Sequence, residues 1–485
     1  MAVMEAATAV LLAALAACIV ALVLRAVRDS MRDSRGGSTI PVTPGMPVIG
    51  HAWDFIGVDI DMLLPKILEM IDGRPLSRFF CLGKTFIVVS DATYMSEVVR
   101  RKDLVDKAVF GYNLMHVVAK QGLVQLGGAE WKQHRTWLVP GFKKKVLDSF
   151  IGDFNAVARH FLSTVPVGEV VEARAMFMRT MSRAFITTAL GDAWDREEEV
   201  KTATDFIDQW FDSIMKRAFR PLLWLDWTFL LTADGRSLLR AKVNFDAFTK
   251  RFMDRKRQAL RDAKHEDTPS EQVIQDEVKT FFFAAVETTA SALSWAVKVL
   301  SLLPDEQRRV HAELDEVFGD SDRDVGLDDI TKLHYLVRFI KEVMRMFPPA
   351  LMIGRQCYHQ TELWGYQIPA NTVIGINILG IHRDAKHWPE PDRFDPDRFL
   401  PENSRDRHPH AYIPFSAGGR NCIGGAYAMQ IMTVLLASVL RALSVQPVDD
   451  GIEDLQGLTD RMTMVVMSRL RGGFNVRFCS RVAGG

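Results

Sequence analysis

Cysteine is scarce in this chain. Five are present in 485 residues, Cys18, Cys81, Cys357, Cys422 and Cys479, and no two of them share a paired spacing. That pattern argues against a disulfide framework and fits a reducing compartment. Net charge is also missing, because Lys+Arg and Asp+Glu both total 60. A balanced charge argues against a nucleic-acid partner, which normally needs a basic face. No internal repeat, low-complexity tract or long central linker divides the sequence. Length alone allows two or three domains. With no division visible, one large domain over 48–485 is expected.

What is present is a loop-like run with a single cysteine, Phe415-Ser416-Ala417-Gly418-Gly419-Arg420-Asn421-Cys422-Ile423-Gly424, followed by an apolar helical pattern from Ala426 to Leu443. A lone cysteine is ordinarily a small buried hydrophobe. Here Gly418 and Gly419 permit a tight turn, and Gly424 lets something bulky approach the main chain. Backbone amides in the turn and the charge of Arg420 favour a thiolate. No second cysteine or nearby histidine completes a zinc site. A thiolate presented alone suits the axial position of a haem iron. The bland alternative is a glycine turn before a core helix.

The run Phe-x-x-Gly-x-Arg-x-Cys-x-Gly resembles the haem-binding signature of the cytochrome P-450 superfamily at every fixed position. The resemblance implies a mainly α fold with small β-sheets. It implies haem b, with Cys422 on the metal and Phe415, Arg420 and Gly424 around the cofactor. Two electrons would come one at a time from an NADPH-cytochrome P-450 reductase, with cytochrome b5 as an alternative donor. The implied reaction inserts one atom of O2 into a lipophilic substrate.

At the other end, Ala6 to Leu24 is apolar except for Thr8. At about 1.5 Å per residue it approaches the roughly 30 Å core of a bilayer. Glu5 precedes it, and Arg25, Arg28, Arg32 and Arg35 follow. Positive residues stay cytoplasmic, so 1–24 is expected as a single-pass anchor with the body in the cytosol. The resemblance adds the endoplasmic reticulum membrane. A cleaved signal peptide would place its basic residues before a shorter apolar run. The linker 25–47 is basic and then stiffened by Pro41, Pro44 and Pro47.

Asp54 to Met70 reads as an amphipathic helix, and Leu76 to Ser90 as a hairpin around Gly83-Lys84. Asp106 to Gly128 is irregular and apolar, a length uncommon for a loop without a task; the resemblance places it over the substrate pocket. Trp131 and Arg135 share a helix face. They match a Trp-x-x-x-Arg motif that implies contact with a haem propionate, against the plainer reading of a surface cation–π pair. Lys143-Lys144-Lys145 reads as a solvated face, or by resemblance as a landing site for an acidic reductase. Trp210, Phe211, Phe219, Leu222, Leu223, Trp224, Trp227, Phe229 and Leu230 read as core, or as a lid whose tip meets the membrane. Arg251 to Lys264 reads as an exposed helix end.

Glu277 to Leu303 is a long helical pattern stopped by Pro304, with Ala284-Ala285-Val286-Glu287-Thr288-Thr289 at its centre. An acid inside an apolar helix is costly unless paired or used. Thr288 either bonds back to a carbonyl one turn earlier or, by resemblance, orients dioxygen while Glu287 brings protons. Ala285 stands where the family motif has glycine. Glu342 and Arg345 face each other on a helix, as a surface ion pair or, with Arg398, as the buried triad that the resemblance implies. Arg355 matches a further propionate-binding arginine by position. Phe281, Ala284, Ala285, Ala350, Leu351, Ile353, Met462 and Met464 are expected to line the pocket.

The run Arg407-His408-Pro409-His410-Ala411-Tyr412-Ile413-Pro414-Phe415-Ser416-Ala417-Gly418, leading into the cysteine loop, is similar to the fatty-acid ω-hydroxylase family, family four, and so is Glu277-Val278-Lys279-Thr280-Phe281. A fatty acid or similar lipid is the expected substrate. Ala284 occupies the place of the glutamate that binds haem covalently in many of those enzymes, so non-covalent haem is expected. Three other classes fit parts of the sequence: a peroxide isomerase or dehydratase, a non-catalytic haem-binding protein, and a membrane-anchored structural protein. The first tends to lose the Thr288-type hydroxyl. The second has no need of Glu287. The third leaves the cysteine loop unexplained.

Overall fold

The computed structural model describes residues 50–119, 121–191, 197–260 and 269–481, with side chains to 254 in the third stretch and single positions at 13, 17, 21, 40, 45 and 46. Apart from those positions, the anchor 1–24 and the linker 25–47 lie outside the described residues, as do 261–264; at the expected exposed helix end Arg251 and Asp254 are exposed but Phe252 and Met253 are buried.

The chain enters through two single turns, Trp53–Phe55 and Ile60–Met62, and then helix α1 (Leu63–Ile71). The single helix expected over Asp54 to Met70 is broken because Gly57 sits at φ +76° and Asp59 is extended. Strands β1 (Leu76–Cys81) and β2 (Lys84–Val89) form the expected hairpin, with Leu82 and Gly83 both at positive φ in its two-residue turn. Helix α2 (Ala92–Arg100) starts at Asp91, whose carboxylate accepts from the Thr93 and Tyr94 amides.

Helices follow as α3 (Gly128–Leu138), α4 (Ile151–Thr164), α5 (Ala173–Phe185) after the short strand β3 (Val170–Glu172), α6 (Glu197–Ala218) and α7 (Ala233–Leu260). Helix α8 (Glu271–Leu302) begins six residues before the sequence reading placed it. Ser270 is its N-cap, accepting from the Val273 amide. It stops where Pro304 opens α9 (Pro304–Phe318), the position that tolerates a missing amide hydrogen. Every residue of α8 from Thr289 to Ser301 is buried, as a helix apolar on all sides should be.

Helix α10 (His334–Met346) leads to strands β4 (Met352–Cys357), β5 (Thr361–Leu363), β6 (Tyr366–Ile368) and β7 (Thr372–Asn377). Helix α11 (Gly425–Ala442) follows the cysteine loop, and strands β8 (Leu443–Gln446), β9 (Met462–Val465), β10 (Met467–Leu470) and β11 (Asn475–Ser480) close the chain. The largest sheet has the order β1-β2-β7-β4, in which only β2 and β7 run parallel. The others are β3-β11-β8, β9-β10 and β5-β6. The expected architecture, mainly helical with small sheets, is the one observed.

One apolar core joins α4, α5, α6, α8, α10 and α11, and a second fills the space around the four-stranded sheet. The cysteine loop runs along their boundary. Among the described residues α11 is the one helix long and apolar enough to cross a membrane, but half of it is buried against protein, and it packs on α4, α9 and α10. The apolar stretch around Pro221 divides between its two readings. Trp210, Phe211 and Phe229 are core, whereas Leu222, Trp227 and Leu231 are 84%, 64% and 69% exposed.

Candidate active site

The loop before α11 is held by its own backbone. The Cys422 amide donates to the Phe415 carbonyl at 2.9 Å and the Asn421 amide to Gly418 at 3.1 Å. Gly418 has φ +73°, and a Cβ there would meet the Val99 carbonyl oxygen of α2 at 2.8 Å. Only glycine fits that turn. Phe415 lies against the first residue of α11, where a Cβ on Gly425 would reach its ring at 3.2 Å. At Gly424 a Cβ would meet only the Cys422 Sγ and Phe142, both at 3.8 Å. The protein leaves that side of the thiol open.

Cys422 is solvent-accessible, yet enough protein surrounds it that lost hydration raises its thiol pKa. The Gly424 amide, Lys107 and Arg135 pull the other way without prevailing. The sequence reading expected the loop alone to favour a thiolate. In the free chain desolvation outweighs the loop dipoles, and a coordinated metal ion would shift the balance to the thiolate.

Three cations converge beside this loop. Arg355 on β4 is buried, donating to its neighbour's Gly354 carbonyl at 3.2 Å and toward the Ser416 hydroxyl at 3.4 Å. Arg420 is buried, donating to the Leu126 carbonyl at 2.9 Å through Nη2, while its Nη1 is buried without a partner. Lys107 lies in the irregular stretch, its ammonium 4.7 Å from the Tyr112 ring centre. Burial and mutual repulsion push Arg420 down to about 10 and Lys107 well below its usual value. None of the three has an ion pair to a carboxylate among the described residues, an arrangement that demands an anionic guest. Trp131 stacks under Arg420 at 4.6 Å. Arg135 is partly committed elsewhere: it donates to the Asn421 carbonyl at 3.0 Å and to its side-chain oxygen at 2.6 Å, clamping the cysteine loop to α3.

On α8, Phe281, Ala284, Ala285 and Thr288 keep partial exposure while their neighbours Phe282, Phe283, Val286 and Glu287 are buried. The spacing i, i+3, i+4, i+7 is one helix face, lined by small apolar side chains. Thr288 Oγ1 donates to the Ala284 carbonyl at 2.6 Å, so the back-bonded form is the one observed. Glu287 is fully buried and does not stand alone. Arg174 of α5 donates to it at 2.6 Å, and Arg469 of β10 lies at 3.4 Å. Both arginines also reach Asp208 of α6.

Behind the loop, Arg345 Nε donates to Glu342 at 2.7 Å and Nη2 at 2.8 Å, while Arg398 Nε lies 3.5 Å from the same carboxylate. Arg345 also donates to the carbonyls of His382, Pro391 and Arg393, and Arg398 to those of Pro389 and Glu390. The surface-pair reading is excluded, because Glu342 and Arg345 are fully buried.

A family model described as Cytochrome P450 matches residues 41–472. Probable cytochrome P450 4ac1 of Drosophila melanogaster is 34% identical over 446 residues, covering 86% of this chain and 87% of its own. Cytochrome P450 4V2 of Mus musculus is 30% identical over 444 residues, with 84% of each chain covered. Cytochrome P450 4c21 of Blattella germanica is 29% identical over 435 residues, covering 83% and 86%. The chain belongs to the cytochrome P450 family.

Its relatives are of family four, and it is an oxidoreductase that works with haem b iron and NADPH supplied through a reductase. The site of this P450 fits that cofactor: an exposed cysteine on a rigid loop, an open glycine beside it, and buried cations with an unpaired guanidinium nitrogen. The expected pocket residues distribute unevenly. Ala284, Ala285 and Thr288 share one face of α8, and Phe281 stacks on Phe142, close to Gly424, at 5.7 Å. Ala350 and Ile353 are half-buried near β4, and Leu351 is core. Met462 is buried and Met464 half-buried on β9, which packs on α1 and α6. Sequence reading missed Lys107, Arg174 and Arg469. Each stands near other charges in the sequence, so nothing local marks it out until its partners in the fold are known.

Proposed function

We propose that this P450 is a monooxygenase that hydroxylates a fatty acid or similar lipid at the endoplasmic reticulum membrane, receiving electrons from NADPH-cytochrome P-450 reductase. The observation that carries the lipid reading is an exposed apolar surface. Leu222, Leu225, Trp227 and Leu231 stand out from the α6–α7 connection, and Trp53 and Ile56 stand out from the entry turns. The two segments meet where Phe55 packs on Phe219 at 5.0 Å. Large exposed apolar patches mark membrane or partner contact. This one lies next to elements that pack around the α8 face, which suits a substrate arriving from a bilayer.

When bound, the haem supplies the oxygen-insertion chemistry. Cys422 would hold its iron through the thiolate, which would supply electron density for oxygen activation. Arg355, Arg420 and Lys107, with Trp131 beneath Arg420, would hold its carboxylates. Arg135 keeps the cysteine loop seated. Thr288 presents a hydroxyl on the open face of α8, and Glu287 holds a carboxylate one residue away. Ala284 and Ala285 leave the face smooth, and Ala284 offers no carboxylate for covalent attachment, so the haem is held non-covalently. Exposed Lys143, Lys144 and Lys145 offer a positive surface to an acidic reductase.

The deciding experiment is the carbon-monoxide difference spectrum of the reduced protein beside Cys422→Ala. A thiolate-type Soret band present in the first and lost in the second is expected, followed by NADPH-dependent turnover of long-chain fatty acids. A band unchanged by the substitution sinks the ligand assignment. Turnover confined to compact polar substrates sinks the lipid reading.

A further inference from the structure

The open face of α8 ends abruptly. Phe281, Ala284, Ala285 and Thr288 lie along it and are partly exposed. Glu277 is four residues before Phe281 and continues the same face, yet it is buried. What covers it is the short segment 121–126, together with His134 of α3. The Leu123 amide donates to Glu277 Oε2 at 3.1 Å, and His134 Nδ1 lies 2.6 Å from Oε1. Two residues earlier, the Gln121 amide donates to the neighbouring Asp276 at 3.0 Å. Between the two tethers Gly122 comes so close to α8 that a Cβ would collide with the Thr280 hydroxyl, an approach that needs glycine.

The segment is fixed at its other end as well. The Gln125 and Leu126 amides donate to the Gly122 carbonyl at 2.9 and 3.1 Å, closing a turn. The Leu126 carbonyl accepts from Arg420 of the cysteine loop at 2.9 Å. The segment therefore runs from the end of the α8 face to the loop that carries Cys422. Its middle residues, Leu123 and Val124, are apolar and partly exposed. A carboxylate acceptor makes the tethers on α8 stronger than ordinary amide bonds. At about 1.5 Å per residue, Glu277 stands about 16 Å along the helix from Thr288. A chain laid along the face from Thr288 meets this stop at that distance.

We infer that Leu123, held in place by Glu277, is the stop that limits the length of acyl chain the pocket accepts. Glu277 acts through Leu123 and is a positioning residue. The inference rests on the lipid reading above and adds to it the far end of the pocket.

The test uses the full-length haem-loaded protein and the saturated fatty acids from octanoic to docosanoic, with dissociation constants read from the Soret shift each produces. Wild-type affinity is expected to rise with chain length and then stop rising at one limiting length. Leu123→Ala should move that limit up by roughly two to three carbons, and each methylene gained should tighten binding about fourfold. Glu277→Ala, which frees the segment, should erase the limit, whereas Glu277→Gln still accepts from the Leu123 amide and should keep it. The carbon-monoxide spectrum of each variant reports folding; if Glu277→Ala loses it, Leu123→Ala decides. A limit unmoved by Leu123→Ala, or kept by a folded Glu277→Ala, overturns the inference and leaves the lipid reading standing. A wild-type protein that binds no member of the series overturns the lipid reading and the inference together.

Discussion

Arg345 grips Glu342 through two nitrogens, Nε at 2.7 Å and Nη2 at 2.8 Å, with both side chains shut off from solvent. Arg345 then reaches three carbonyls on the segment leading to the cysteine loop, and the Asp395 amide donates to Glu342 at 2.9 Å. The pair therefore fixes α10 against the loop's approach. Glu342→Gln keeps the shape and removes the charge, leaving Arg345 buried and uncompensated. Breaking a buried pair on one side costs about 3–5 kcal/mol. The expected result is an unfolding free energy lowered by about that amount, seen as a lower denaturation midpoint, and a reduced yield of haem-loaded protein. An unchanged midpoint would mean that the carbonyl contacts alone hold the segment.

His382 gives the fold an acid-sensitive point. It is fully buried, its Nε2 accepts from the Ile413 amide at 2.8 Å, and burial with nearby Arg345 pushes its pKa from 6.5 down to about 3. The folded state holds the ring neutral while the unfolded chain binds a proton more readily. Stability is therefore full above the unfolded value and falls as pH drops through 6.5 toward 3. His382→Gln retains an acceptor for Ile413 without the titration. Its stability profile should be flatter across that window than the wild type's; parallel profiles would assign the acid loss to other groups.

The cysteine loop was legible in its own residues, whereas the burial of Glu342 and Arg345 with Arg398 and the pocket face of α8 followed only from the family resemblance, because local spacing by itself allowed a surface pair and Arg398 lies far along the chain. The helix ends were less legible. Gly57 broke an apparent amphipathic period, and Ser270 extended α8 beyond its apolar stretch. The thiol's protonation was misread because a loop's amide dipoles can be seen in sequence, whereas the burial that outweighs them is tertiary. Arg174 and Arg469 could not be matched to Glu287 beforehand. They lie more than 100 residues away on either side of it, on α5 and β10.

Lys143, Lys144 and Lys145 stand exposed at the start of the short helix Lys144–Ser149, and only Lys144 has an acidic neighbour, Asp148 at 2.6 Å, among the described residues. A surface of this kind acts on encounter rates and is screened by salt. Reversing the three charges to glutamate should slow the first electron transfer from reductase by about tenfold or more at low salt, with the gap closing at high salt. Stopped-flow reduction at two ionic strengths measures it. An equal deficit at both would locate the defect inside the protein instead.

Lys107 has effects of opposite sign with and without haem. Its ammonium shares a buried corner with Arg355 and Arg420, and burial plus their charges drive its pKa well down. In the haem-free chain that corner is self-repulsive, so Lys107→Met, which keeps the apolar stem, should raise thermal stability, by about 1 kcal/mol. In the haem-loaded protein the same ammonium faces cofactor carboxylates, and its loss should speed haem transfer to an apo-globin acceptor by about tenfold, the weight of one charge-assisted contact. The two measurements need no turnover and separate the residue's structural part from its cofactor part. A variant that destabilises both forms would show that Lys107 is a packing residue, and would return the anchoring of the carboxylates to Arg355 and Arg420 alone.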